Sequence, residues 1–232
     1  MALKFYGSVA ASMFALAAVV TSAQAMPLNI DFGSGGGLPA PSNAFGAAAG
    51  QAGNWNVITA FSTPSGIVDL SGNTTGVSIS IFAESMTGLF GGGPGDASHL
   101  MRDYFHSSDF GGAWGLTISG LDNGTYDVYL YDPAPIGIGT GLGMLSGIAF
   151  PNISHEFSGV IGANAHFILL TGISVTDGTI SANGGGGFPS GLAGMQLVQA
   201  PDNNANVPTP GSLALLGLGL FGIGATRRRK AA

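Results

Sequence analysis

Cysteine is absent from this 232-residue chain, which excludes disulfides, zinc–thiolate centres and cysteine nucleophiles together and leaves core packing to stabilise whatever folds. Positive charge is nearly absent as well. Lys and Arg number six, and five of them, Lys4, Arg227, Arg228, Arg229 and Lys230, sit at the two ends, so that Arg102 is the one cation between them. All twelve Asp and Glu fall in that middle stretch. The overall net charge of −6 therefore conceals a middle region with one cation against twelve anions and a compact basic block at the carboxyl end. A nucleic-acid partner is excluded on this ground, because binding to a phosphate backbone draws on counterion release by many Lys and Arg. Cations and neutral polymers suit such a surface better.

Long helical periods are also missing. The chain has 41 Gly, and Gly is costly inside a helix, so the composition is one of turns and short strands. An all-β fold is expected, an antiparallel two-sheet β-sandwich, flanked by an N-terminal signal helix and a C-terminal apolar helix.

The ends have their own grammar. Lys4 opens a short positive region, Phe5 to Val20 is an apolar run, and Ala23-Gln24-Ala25 offers the small residues a signal peptidase needs. The run is shorter than the roughly 20 residues a membrane span wants, so residues 1–25 read as a signal peptide cleaved after Ala25. A domain at 26–200 and a polar linker at 201–206 follow. The tail, 207–232, joins Val207-Pro208-Thr209-Pro210, an apolar stretch from Gly211 to Thr226, and Arg227-Arg228-Arg229-Lys230. Each proline removes a backbone donor and biases the residue before it to extended conformations, which keeps this segment open to an enzyme. If helical, the apolar stretch spans about 24 Å, against a hydrocarbon core of roughly 30 Å, which suits a transient anchor with its arginines at cytoplasmic headgroups. A plain C-terminal membrane anchor fits the same hydropathy.

Val-Pro-x-Pro, the Leu- and Gly-rich stretch from Ser212 to Leu220 and the terminal Arg cluster together resemble the PEP-CTERM sorting signal. The resemblance implies recognition by an exosortase-like enzyme, a membrane-bound transpeptidase-like cysteine protease, and cleavage near the prolines. It further implies export across the inner membrane of a Gram-negative bacterium to a surface or matrix rich in exopolysaccharide. That family usually has Glu between the prolines; here Thr209 takes the place, which weakens any recognition that depends on its charge.

Between the ends, short β-like runs alternate with Gly, Asn, Asp and Pro clusters. Strands are expected at Leu28–Phe32, Asn54–Ile58, Gly66–Leu70, Gly76–Phe82, Ala113–Ser119, Gly124–Tyr131 and Leu192–Gln199, with weaker signals at Ile148–Phe150, His166–Leu170 and Thr179–Ser181. The run from Leu116 to Tyr131 reads as a hairpin about Asn123-Gly124, with Tyr126, Val128 and Leu130 on one face and Asp127, Tyr129 and Tyr131 on the other. The pattern Gly-Leu-x-x-Gly-x-Tyr-x-Val at 120–128, with the closing Leu192–Val198, resembles galactose-binding-like jelly rolls. This implies a two-sheet jelly roll used as a carbohydrate-binding or adhesive module. Glycine clusters at 33–37, 91–95 and 184–187 read as loops at sheet ends and lack the setting of a phosphate loop.

Candidate chemistry is thin. His99, Asp103 and His106 would share a face if helical and would be divided between two faces if extended. Ca²⁺ suits a chain rich in oxygen ligands, yet no ligand-loop signature is present, so no metal site or cofactor is assigned. Glu84, Asp103, Asp109 and Glu156 are available carboxylates, but none stands out as a glycosidase pair, and no Gly-x-Ser-x-Gly elbow exists. No catalytic residue is assigned. Trp55, Tyr104, Trp114, Tyr129 and Tyr131 are the candidate sugar-stacking platforms, with burial in the core as the competing role for each. The expectation is a non-catalytic surface module, with a surface-displayed polysaccharide-processing enzyme as the alternative.

Overall fold

A computed structural model describes residues 26–33, 39–63, 65–83, 85–88, 95–107, 112–131, 143–150, 161, 166–185 and 190–200. The chain divides into two units, Ala23–Pro201 and a second made of Met1–Ser22 with Asp202–Ala232, and every described residue belongs to the first. The signal segment, the linker, the sorting tail and both expected terminal helices lie outside the described residues. Among the described residues no helix is long and apolar enough to cross a membrane.

In chain order the elements are β1 (Leu28–Asp31), β2 (Trp55–Val57), β3 (Ser62–Thr63), β4 (Ser78–Phe82), β5 (Ser85–Gly88), α1 (Asp96–Arg102), β6 (Asp103–Ser107), β7 (Ala113–Ser119), β8 (Gly124–Tyr131), β9 (Gly143–Leu145), β10 (Ile148–Phe150), β11 (Phe167–Val175), β12 (Thr179–Gly185), β13 (Ser190–Leu192) and β14 (Gly194–Gln199). They form a five-stranded sheet, β11-β8-β14-β1-β2, a six-stranded sheet, β10-β9-β12-β7-β4-β3, and a small sheet, β13-β6-β5. Pairing is antiparallel apart from the parallel pair β1–β2.

Period-two patterning explains how the large sheets meet. Ile79 and Ile81 of β4, Leu116 and Ile118 of β7, and Ile180 and Ala182 of β12 point inward from the six-stranded sheet. Leu28, Ile30, Val128, Leu130, Met195 and Leu197 meet them from the five-stranded sheet in one continuous core. In β4, β7 and β12 every second side chain is buried, as two sheets packed face to face require, whereas β1 and most of β14 are buried on both faces. The expected sandwich is present.

The expected hairpin at Leu116–Tyr131 is not. β7 pairs with β4 and β12, whereas β8 pairs with β11 and β14, so the four residues Gly120 to Asn123 carry the chain from one sheet to the other. Positive φ is needed at Gly120 (φ 80°), not at Asn123-Gly124. Leu121, 5 % exposed, joins the core instead of capping a turn. Its N–H donates to the Gly178 carbonyl, and Gly178 N–H donates to Asn123 Oδ1, which ties this arch to the matching β11–β12 arch. A two-residue hairpin does occur at Ser146-Gly147, where both residues have positive φ (46° and 84°), as a type I′ turn demands.

Two other expectations change. Gly66–Leu70 is not a strand; Val68 forms an isolated bridge with Thr74, and its N–H and C=O are held by the Asn56 side-chain amide. Gly184 and Gly185 belong to β12, and a side chain at Gly184 would lie 2.6 Å from the Trp114 ring.

The arch yields a paired test. At Gly120 an added Cβ would sit 2.3 Å from the Gly76 carbonyl oxygen, whereas at Gly147 it would meet nothing within 4 Å, although both have positive φ. Gly147→Ala should therefore cost only about 1–2 kcal/mol of left-handed strain, and Gly120→Ala that amount plus about 1–3 kcal/mol of steric conflict. Urea unfolding of the two variants measures the difference, and equal losses would contradict the arch geometry.

Candidate functional site

The aromatic candidates lie mainly inside. Trp114 is 1 % exposed and packs edge-on to Phe105 at 5.4 Å in the inter-sheet core. Trp55, Tyr104 and Tyr131 belong to a second cluster on the far face of the five-stranded sheet, together with Leu100 and Met101 of α1 and, more loosely, Phe45. Trp55 Nε1 donates to the Phe45 carbonyl and its ring stacks on Phe45. Stacking a sugar needs an open ring face, and these four residues spend theirs on packing. Tyr129 is half-buried, with its ring 5.6 Å from that of Phe167.

Period two did place Tyr129 and Tyr131 opposite Val128, but their face is covered as well. The 39–53 segment lies over it, held by a network of buried amides. Gln196 Nε2 donates to Asn29 Oδ1 and the Gly46 carbonyl, Gln51 Nε2 donates to the Leu28 and Leu197 carbonyls, and Asn29 Nδ2 donates to the Gln51 carbonyl. The Tyr131 hydroxyl donates to Gln196 Oε1 and accepts from Ala48 N–H; its burial pushes the phenol well above its ordinary pKa. Buried polar groups that are mutually satisfied in this way fix a single position for the covering segment.

Beside this network lies an acidic pair. Asp31, at the end of β1, is 1 % exposed, its Oδ1 has no hydrogen-bond partner, and Asp103, at the α1–β6 junction, is 2 % exposed. Desolvation first, and the Asp103 charge second, raise the Asp31 carboxyl well above the ordinary carboxylate range. Solvent does not reach either group. The segment around Asp103 uses both conformations open to it: His99 is on α1, the helix ends at Arg102, and His106 is on β6. His99, Asp103 and His106 are thus not assembled, and no group of three or more His, Asp or Glu able to hold a metal occurs among the described residues. Glu84, Asp109 and Glu156 lie outside the described residues.

The far face of the six-stranded sheet is different. Strand register aligns its outward side chains into rows: Ser78, Ser119 and Thr179; then Ser80, Thr117 and Ser181; then Phe82, Gly115, Asn183 and Met144. Every one of these residues is at least partly exposed and none is charged. Neighbouring positions in a row are about 4.8 Å apart and successive rows about 6.8 Å apart, so the hydroxyls form a regular grid on the twisted sheet. Phe82 stands out of it, 73 % exposed, beside Gly115, which presents no side chain. Sequence reasoning passed over this face. Its signal, Ser-Ile-Ser-Ile-Phe, Leu-Thr-Ile-Ser and Thr-Ile-Ser-Ala-Asn, was visible as alternation, but the register that turns three strands into one surface was not.

Comparison with known proteins bears on the tail. Residues 206–230 match the PEP-CTERM protein-sorting motif. No curated protein and no solved structure matches the chain. The motif indicates an exported protein with a C-terminal membrane anchor, processed by an exosortase and sorted to the surface of a Gram-negative bacterium. The matched range includes Thr209, so the departure from Glu does not remove the motif.

The acidic pair supplies a pH test. A carboxyl whose folded pKa is raised contributes stability below its unfolded pKa of about 3.9, and that contribution is lost as pH rises through the folded value. Asp31→Asn should therefore be more stable than wild type at pH 7, with the two converging as pH falls toward 4. Thermal melts across that range check it; a constant offset would contradict the burial of an ionisable Asp31.

Proposed function

We propose that the chain is a non-catalytic cell-surface or extracellular-matrix protein associated with exopolysaccharide, built on a jelly-roll-like sandwich and released from its transient anchor by an exosortase-like enzyme. The partition of charge carries this reading. Apart from Arg102, the cations stand in the two terminal segments, and the domain between is acidic. Such a domain has no electrostatic hold on anionic lipids or polyanions, and its lasting contacts outside the cell fall to hydroxyl, amide and aromatic groups. The sorting motif adds the destination. The jelly-roll element rests on the Gly120 to Val128 and Leu192 to Val198 patterns, whose strands β8 and β14 are neighbours in one sheet.

A polysaccharide-processing enzyme would need two carboxylates opening on a cleft. Asp31 and Asp103 are close enough to interact, but both are sealed from solvent. The reading requires no cofactor, and Ca²⁺ is a variable of the assays below.

Two measurements on protein released from the cell surface test the proposal. Intact mass should show a chain that begins at Met26 and lacks Gly211 to Ala232; retention of those residues would favour a plain anchor. Incubation with polysaccharide from the producing cells, with and without Ca²⁺, should release no new chain ends. Turnover that disappears on substituting a carboxylate would overturn the non-catalytic reading.

A further inference from the structure

We propose that the outer face of the six-stranded sheet is a docking surface for an extended, uncharged polysaccharide chain, with Phe82 as its stacking platform. This deepens the exopolysaccharide reading above and rests on it.

Three observations select this ligand class. First, the face is built from hydroxyl and amide groups in register, Ser80, Thr117, Ser181 and Asn183 among them. Hydroxyls and amides both donate and accept, so they can exchange hydrogen bonds with sugar hydroxyls in many relative positions, as a repeating polymer needs. Second, Phe82 is the most exposed of the large apolar side chains described, at 73 %, and it stands at the outward position that Ser78 and Ser80 occupy earlier in the same strand. An apolar ring left in water on a polar field gains by covering, and a pyranose offers both an apolar C–H face for the ring and hydroxyls for the neighbours. Third, the row from Phe82 through Gly115 and Asn183 to Met144 crosses four strands, roughly 14 Å, which suits several linked sugars better than one.

Charge decides against the alternatives. A polyanion finds no cation on this face and a domain with eleven acids behind it. A second copy of the chain would need an apolar interface core, and Phe82 with Met144 alone does not provide one. Each contact to a sugar is weak, so affinity comes from successive repeats engaging successive rows.

The experiment uses mature protein recovered from the cell surface, depleted from solution by cellulose, by curdlan and by polysaccharide extracted from the producing cells, with alginate as the polyanionic comparison. Wild type should bind at least one neutral polymer and not alginate. Phe82→Ala and Thr117→Glu should each weaken that binding by about tenfold, while Leu169→Ala, at an exposed position on the other sheet, leaves it unchanged. Circular dichroism melts of the two face variants should match wild type, since their side chains point away from the core. If wild type binds a neutral polymer and both face variants bind equally well, the site is wrong and the exopolysaccharide reading stands. Binding to none of the polymers defeats both. Tighter binding to alginate, lost in high salt, overturns the uncharged ligand class.

Discussion

The sandwich is registered by two arches that cross between its sheets at the same end. Leu121 is driven into the gap between the sheets, its N–H is taken by the Gly178 carbonyl, and Asn123 Oδ1 takes the Gly178 N–H in return. The Tyr126 hydroxyl closes the corner by donating to the Asp122 carbonyl and accepting from Met26 N–H. Because both crossings occur together, β7 and β12 are neighbours in one sheet while β8 and β11 are neighbours in the other. That shared register brings Ile118 opposite Ile180 on the inside, and by the same step Thr117 beside Ser181 on the outside. The core and the candidate surface are two consequences of one constraint.

The two outer faces then part ways. On the five-stranded sheet, Asn29, Gln196, Tyr131 and Trp55 attract a cover, the 39–53 segment and α1, which satisfies the amides and buries the rings. Net gains of about 1 kcal/mol per hydrogen bond are ordinary, but uncovering such a set would leave unpaired groups that cost more than the bonds contribute. On the six-stranded sheet the outward side chains other than Phe82 and Met144 are short and polar or absent and pair as well with water as with protein, and the face stands open. A face without a cover can meet a partner; a covered face is already engaged.

This asymmetry explains what sequence could and could not say. Alternation in Ser78–Phe82 and Ala113–Ser119 marked strands and their buried halves because burial there follows period two along one strand. The Asn123-Gly124 pair misled because local turn chemistry permits a hairpin without requiring one, and the burial of Leu121 between sheets outweighed it. The aromatics misled for a related reason: a Trp or Tyr on the strand face opposite the core looks exposed until another part of the chain covers it. Phe82 was overlooked because its strand reads as an apolar alternation ending in one more hydrophobe, although it shares the outward phase of Ser78 and Ser80 and is exposed.

The distribution of charge follows the same division of labour. A domain that held anionic partners through ion pairs would need cations, and cations would also compete with the terminal Arg cluster in setting membrane topology. Confining Lys4 and the Arg227–Lys230 block to segments outside the domain keeps the positive-inside signal apart from the acidic, cysteine-free middle. In the interior, Asp31 is held toward its neutral form by desolvation first and by the Asp103 charge second. For a neutral polymer such a chain has hydroxyl and amide groups to offer, and the register of β4, β7 and β12 gathers them in rows beside Phe82.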